Sequence, residues 1–297
     1  LLMLFKRSGT IDVERVVTEI LDALDCMAMV VRGEGCETLY LNAAAQDFLI
    51  REQQGFASCR NSCAALFSNL CENCANRNGD SADYSGRVEV CNHTGHTYAV
   101  TTRGISWIDG KPATLLMLED IQERRDIEKR LYNLAYLDQL TMVPNRLKLK
   151  QDFDEIQKQG DYVGAIAMFD MDNFKAINDT YGHNTGDVMI RRLVDHLNRL
   201  PAFAGHLYRL GGDEFVIFYA QKAGRLKGEA DFRQYYGSVL RGAFHSYSMP
   251  HIDLVCTISM GVAFFPQHGT ILSELLRKAD IALYQAKDAG RNQLVFF

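Results

Sequence analysis

Two places in the chain put acidic side chains where acids are costly unless they have work to do. Asp170 and Asp172 stand two apart, directly after the apolar run AIAMF. In a continuing strand both carboxylates would point to one face, at the end of a buried segment. Asp213 and Glu214 follow Gly211 and Gly212 inside RLGGDEFVIF (209–218), between two apolar runs. Taken alone, that stretch is equally a tight hairpin with a charged tip. If the hairpin lies beside the first strand, Asp170, Asp213 and Glu214 converge. Three carboxylates at one spot repel one another unless a cation holds them, and hard oxygen ligands favour Mg²⁺ or Mn²⁺. Asp172 also suits the N-cap of a helix opening at NFKAIN, a role that explains Asp170 poorly. Lys175 at that helix start, with backbone N–H groups beside it, offers a seat for phosphate. Lys287 and Arg291, four apart, are surface charges when taken singly. Acids for a metal and separate bases for phosphates make a nucleoside triphosphate the natural substrate class.

The elements that must position these groups follow from hydrophobic periodicity. After Leu137 the order is helix RLKLKQDFDEIQKQ, strand VGAIAMFDMD, helix over 175–200, hairpin LYRLGGDEFVIFYA, helix, strand VCTISMGVAFF, helix LSELLRKADIALYQAKDAG and a short terminal strand. That is βαββαβ with additions, a ferredoxin-like α+β arrangement. Before it, IDVERVVTEILDALD (11–25) has helical spacing, MAMVVRGEGCETLYLN reads as two strands around a turn at Arg32 to Cys36, and AAAQDFLI is a short helix. YAVTTRGISWIDGKPATLLMLED gives two strands joined by Asp109-Gly110. Between the halves, DIQERRDIEKRLYNLAYL is charged and helix-favouring, with Ile127, Leu131 and Leu134 on one stripe and Asp126–Arg130 spaced for an ion pair. Such a stripe pairs with its twin in a parallel coiled coil, or packs as a plain linker on one domain.

The chain has 297 residues, enough for two ordinary domains, with 47% hydrophobic and 23% charged residues. A net charge of -5 gives no reason to expect nucleic-acid binding, while a local basic pocket remains compatible with a nucleotide. No apolar run approaches the roughly 18 residues needed to span a bilayer, and LLMLFKR at the start has no signal-peptide cleavage pattern. A cytoplasmic location is expected; whether residues ahead of Leu1 anchored the protein is open.

The first half resembles the PAS family of sensor domains over roughly residues 17–122. Asn42 in LYLNAAAQDFL sits where that family often has Asn before its first short helix, and LLMLEDIQERR matches its last strand and exit into a helix. The second half, 138–297, resembles the GGDEF family of diguanylate cyclases. DQLTMVPNR (138–146) resembles D-x-L-T-G-L-P-N-R, with Met142 in place of Gly. DMDNFKAINDTYGHNTGD (170–187) follows D-x-D-x-F-K-x-x-N-D-x-x-G-H-x-x-G-D at every fixed position; RLGGDEF carries the signature, and ADIALYQAKDAGRNQ resembles the closing helix. The expected organisation is a PAS-like domain at 10–120 with a Cys-rich insert, a signalling linker helix at 121–137 and a cyclase domain at 138–297.

This resemblance implies roles. Asp170, Asp213 and Glu214, with the carbonyl of Met171, would bind two divalent ions, Mg²⁺ or Mn²⁺. Asn178 and Asp187 would read the guanine edge. Phe174, Lys175, Lys287 and Arg291 would hold phosphates, and Gly211 and Gly212 would let the α-phosphate approach. Each subunit of a homodimer, joined through linker helix and PAS-like domain, would hold one GTP, and the product would be cyclic di-GMP with two pyrophosphates. A catalytically silent GTP- or cyclic-di-GMP-binding effector is the second reading, but the loss of an acid that usually marks it is absent. Many relatives carry an Arg-x-x-Asp inhibition site five residues before the signature; here Ala202–Gly205 stand there, so no product inhibition through that site is expected.

Seven of the eight cysteines lie before residue 92. Cys59, Cys63, Cys71 and Cys74, spaced C-x3-C-x7-C-x2-C, could hold Zn²⁺ or an iron–sulfur cluster, with His93 and His96 able to complete a site; buried structural thiols are the competing reading. A metal or redox sensor with cyclase output is therefore a third reading, compatible with the first. The small ligand of the sensor, and whether it activates or inhibits, has no signature in the sequence.

Overall fold

A computed structural model describes residues 12–32, 37–51, 85–91, 95–201, 203–223, 229–244, 247–249 and 252–297. The cluster Cys59, Cys63, Cys71 and Cys74, and His93, lie outside the described residues. The chain divides into two compact units, Leu1–Glu128 and Lys129–Phe297.

In the first unit, α1 (Val13–Asp22) is followed by β1 (Met27–Arg32), β2 (Glu37–Leu41), α2 (Ala43–Arg51), β3 (Ser85–Cys91), β4 (Thr97–Ser106) and β5 (Pro112–Asp120). The strands form one antiparallel sheet in the order β2-β1-β5-β4-β3. Met29, Val31, Phe48, Leu49, Val100, Leu116 and Leu118 make its core. The β4–β5 hairpin turns on Asp109-Gly110, where Gly110 has φ 76°. Arg32 grips Asp109 through Nη1 and Nη2, at 2.8 and 2.7 Å. Asn42 is fully buried, which an amide tolerates only when its valences are filled. Its Oδ1 accepts from the Ala28 and Ala45 N–H groups, both at 2.9 Å, while Nδ2 donates to the Leu21 and Cys26 carbonyls at 3.1 and 2.8 Å. One side chain thus joins α1, β1 and α2.

The next helix, α3 (Gln122–Tyr136), has its N-terminus held by Asp120, whose Oδ1 accepts from the Gln122 N–H at 3.0 Å. Glu89 on β3 pairs with Arg124 and Arg125 in its first turns. Ile127, Leu131 and Leu134 are 48%, 60% and 66% exposed, so among the described residues nothing covers this apolar stripe. The expected Asp126–Arg130 ion pair does not form: Asp126 instead accepts from Gln122 Nε2 at 3.1 Å. An exposed i,i+4 pair contributes only a few tenths of a kcal/mol, so a neighbouring amide competes with it easily.

The second unit contains α4 (Arg146–Gln159), β6 (Tyr162–Met171), α5 (Phe174–Tyr181), α6 (His183–Arg199), β7 (Leu207–Gly211), β8 (Glu214–Lys222), α7 (Glu229–Leu240), β9 (Tyr247–Met249), β10 (Ile252–Cys256), β11 (Ile258–Phe265), α8 (Leu272–Asp288) and β12 (Leu294–Phe296). The main sheet runs β12-β11-β6-β8-β7, antiparallel throughout except that β12 lies parallel to β11. Four of its strands, in the order β11-β6-β8-β7, have the order of a ferredoxin-like βαββαβ fold, as the sequence predicts. Period-two alternation sorts β6 between two cores. Ala165, Ala167, Phe169 and Met171 pack with α5, α6 and α7, whereas Ile166 and Met168 pack with α4 and α8. Asp170 continues the second set and so meets the α8 side.

Three elements depart from the sequence reading. The single helix expected over 175–200 is two, α5 and α6, broken at Gly182 with φ 82°. The strand expected over 255–265 is interrupted at Thr257, whose carbonyl accepts from the Asp172 N–H at 2.8 Å. Upstream of that break, β9 and β10 form a separate two-stranded ribbon.

Met142, standing where Gly was expected, adopts φ 57°, in the left-handed region. Its side chain is exposed, so no packing offsets the strain. Met142→Val is expected to lower stability by about 1–2 kcal/mol and Met142→Gly to raise it slightly, both read by urea unfolding.

Candidate functional site

The site is assembled at the end of β6, where the β6–β8 ladder stops at Phe169–Phe215, one position short of Asp170 and Glu214. Those two rings stack at 5.4 Å and set the distance between the strands just below the acids. Asp170 is 7% exposed. Its Oδ2 receives Lys287 Nζ from the last turn of α8, and its Oδ1 is buried with no hydrogen-bond partner. Burial pushes its carboxyl up to about 6; Lys287 opposes the shift, and the charges of Asp213 and Asp172 reinforce it. Asp213 is likewise raised by burial, against the pull of Lys287 and Arg209.

The turn that carries Asp213 is made by Gly211 and Gly212, at φ 145° and 53°. A Cβ at either would touch nothing within 4 Å, so the backbone angle, not crowding, demands glycine. Behind the turn, the buried Arg209 donates to the Gly212 carbonyl from Nε at 3.0 Å and Nη2 at 2.6 Å, and to Asp138 Oδ1 from Nη1 at 2.7 Å. Asp138 also accepts from the Thr141 N–H and hydroxyl, at 2.9 and 2.6 Å. Burial alone would raise its carboxyl, yet the Thr141 and Arg209 bonds hold it below the usual range.

Asp172 does not cap a helix. The N-cap of α5 is Asn173, left-handed at φ 58° and with no side-chain cap bond. The buried Asp172 carboxylate instead accepts from Ser259 Oγ and Thr257 Oγ1, both at 2.6 Å, and from the Asn292 N–H at 3.2 Å. Beside it the buried Cys256 thiol donates to the Asp172 carbonyl at 3.3 Å, and burial pushes that thiol up to about 12.

Asn178 on α5 and Asp187 on α6 come from separate helices. Asn178 Oδ1 is buried without a partner. A Cβ on Gly186 would lie 2.0 Å from that oxygen and 2.9 Å from Phe174 Cζ, so glycine is what lets the amide sit there. Gly186→Ala is therefore expected to displace the Asn178 amide and to lower stability by about 1–3 kcal/mol, as a thermal melt would report.

The structure brings Asp170, Asp213 and Lys287 together and leaves Glu214, Lys175 and Arg291 exposed. Among the described residues no three His, Cys, Asp or Glu side chains gather into a metal-sized group, so the three-acid convergence expected from the sequence is not reached. Glu214 opens β8, just past the end of the ladder, which leaves its side chain outside the packed sheet. The orphaned Asp170 Oδ1, with the half-buried Asp213 carboxyl nearby, nevertheless suits a hard divalent cation. Sequence reasoning missed Arg209, Asp138, Thr257 and Ser259. A buried arginine within an apolar strand was the available signal for the first of these.

A family model described as "Diguanylate cyclase, GGDEF domain" matches residues 135–293. The chain is 32% identical over 172 residues to the bifunctional diguanylate cyclase/cyclic di-GMP phosphodiesterase MucR of Pseudomonas aeruginosa, covering 57% of this chain and 24% of MucR. To the probable diguanylate cyclase DgcI of Escherichia coli it is 34% identical, covering 57% of this chain and 35% of DgcI. To E. coli diguanylate cyclase DgcP it is 30% identical, with 56% and 49% covered. The chain thus spans less than half the length of each of these curated relatives. Among solved structures, the coiled coil and GGDEF domain of DgcB from Caulobacter crescentus, in complex with c-di-GMP, aligns at 24% identity and TM-score 0.49, over 60% of this chain and 93% of that one.

Proposed function

Since the chain belongs to the GGDEF diguanylate cyclase domain family, we propose that it condenses two GTP molecules into cyclic di-GMP and two pyrophosphates. The observation that carries this reading is the buried Asp170, with one oxygen on Lys287 and the other unpartnered, set against the glycine turn that holds Asp213. In each half-reaction the 3′-hydroxyl oxygen of one GTP bonds to the α-phosphorus of the other, loses its proton and displaces pyrophosphate. Asp170, Asp213, Glu214 and the Met171 carbonyl would hold two Mg²⁺ or Mn²⁺ ions. When bound, such ions lower the pKa of the attacking hydroxyl and offset the triphosphate charge. Asn178, as donor and acceptor, and Asp187, accepting from N1–H and N2–H₂, read the guanine edge, and adenine offers neither of those two donors; the unpartnered Asn178 Oδ1 supports this reading. Phe174, Lys175, Lys287 and Arg291 hold the phosphates, and Gly211 and Gly212 leave room for the α-phosphate.

Two GTP must meet face to face, so the reaction needs two copies of the chain. The uncovered stripe Ile127, Leu131 and Leu134 supports a homodimer through α3. In the first unit, strand order β2-β1-β5-β4-β3 and the four-bond role of Asn42 support a PAS-like sensor that controls the output. Phe203 is buried in the core while Ala204 and Gly205 are exposed, and with neither Arg nor Asp in Ala202–Gly205 no product inhibition through an Arg-x-x-Asp site is expected. No described helix is long and apolar enough to cross a membrane.

The test is incubation of the purified chain with GTP and Mg²⁺, with cyclic di-GMP detected by mass. Product is expected, together with two equivalents of pyrophosphate. A dimeric sample that gives none, indistinguishable from Glu214→Ala, refutes the enzyme reading.

A further inference from the structure

The segment from Lys287 to Asn292 ends α8 and leads into β12, and it is held from below at two points on β6. Asp170 takes Lys287 Nζ, and Asp172, two residues on, takes the Asn292 N–H at 3.2 Å. Arg291 lies between these anchors. Arg291 and Asn292 are consecutive non-glycine residues with left-handed backbones, at φ 64° and 46°. Two such residues in succession persist only where their surroundings over-determine them. On the helix side the fixing bonds run to the Ala286 carbonyl, from the Arg291 N–H at 3.0 Å and from Gln293 Nε2 at 2.8 Å. On the sheet side Asp172 holds the Asn292 N–H, and the Gln293 carbonyl beyond it accepts from the Met260 N–H at 2.9 Å.

Asp172 is equipped for that task. It is buried, and all three groups that approach it, the Ser259 and Thr257 hydroxyls and the Asn292 N–H, are donors. A carboxylate is the side chain that accepts from three donors at once, and its charge strengthens each bond. The two hydroxyls hold the carboxylate from β11 and its approach; the carboxylate in turn holds the loop. We propose that Asp172 is a positioning residue for nucleotide binding: it locks the loop at Arg291 so that this exposed guanidinium stands at a fixed place relative to Asp170 and receives the GTP phosphates. The proposal rests on the GTP reading above.

Two readouts on the full chain test it. In hydrogen exchange read by mass spectrometry, Asp172→Ala is expected to speed exchange at the Asn292 amide by at least about tenfold. Affinity for a non-hydrolysable GTP analogue should fall by about tenfold in Asp172→Ala and likewise in Arg291→Ala, and the double variant should lose no more than either alone. Asp172→Asn should restore both readouts to within about threefold, because its oxygen still accepts from Asn292 while its amide donates to the Ser259 hydroxyl. Should Asp172→Ala not fold, the pair Thr257→Val with Ser259→Ala frees the carboxylate from its supports and should shift both readouts the same way. Unchanged exchange at Asn292, or affinity losses that multiply in the double variant, would overturn the proposal. A parent chain that binds the analogue but forms no cyclic di-GMP counts against the cyclase reading alone, since neither readout here needs turnover.

Discussion

Asp170→Asn is expected to make the protein more stable and nearly inactive in one step. Burial sets the folded pKa of Asp170 at about 6, above its ordinary 3.8. The native state therefore holds this proton more tightly than the unfolded chain does. The group supports the fold fully below about pH 4, and that support is lost as the pH rises through about 6. At neutral pH the ionised carboxylate is a burden of at most about 3 kcal/mol even with Lys287 beside it. Asparagine removes the charge and keeps the shape, so a net gain of about 1–2 kcal/mol is expected at pH 7 in chelated buffer, fading towards pH 4. Urea unfolding at the two pH values measures this. Product formation should fall at least a hundredfold, since the substituted group is the one best placed to hold a cation. A variant less stable than the parent at pH 7 would contradict this account of the site.

The second large effect belongs to Arg209. Its guanidinium spans the Gly212 carbonyl and Asp138, which fixes the glycine turn to the start of the unit's chain. Arg209→Ala leaves a half-buried carboxylate and a carbonyl without their partner and should cost about 3–5 kcal/mol. Arg209→Lys keeps the charge but cannot reproduce the fork, so an intermediate loss of about 1–2 kcal/mol is expected. In the lysine variant turnover should drop far more than stability does, because the loosened turn is the one that carries Asp213 and Glu214. Unfolding midpoints beside initial rates of cyclic di-GMP formation separate the two effects. Equal activity in parent and lysine variant would remove the turn-bracing role.

The two-apart acids after an apolar run, and the paired acids after paired glycines, made Asp170 and Asp213 visible because each breaks a hydrophobic pattern at a predictable strand end. The order of strands and helices was equally legible, since alternation along β6 and helical spacing in α8 are local properties. What stayed hidden depends on partners far along the chain. Asp172 looked like a helix cap because Ser259, Thr257 and Asn292 arrive 85 or more residues later, from β11 and the segment before β12. Gly182 sits inside a helical pattern that tolerates one glycine, and only its φ of 82° shows that the helix ends there. Asp126 and Arg130 have the right spacing, but a neighbouring glutamine takes the carboxylate first.

The state of Cys256 has a practical consequence for thiol chemistry. Buried, and with its pKa pushed up to about 12, it presents almost no thiolate near neutral pH. All seven remaining cysteines lie before residue 92. Alkylation of the folded, unmutated chain therefore counts thiols among the seven amino-terminal cysteines alone, and a mass spectrum taken before and after chelation or reduction reads their condition, Cys59, Cys63, Cys71 and Cys74 among them, without a contribution from the carboxy-terminal unit.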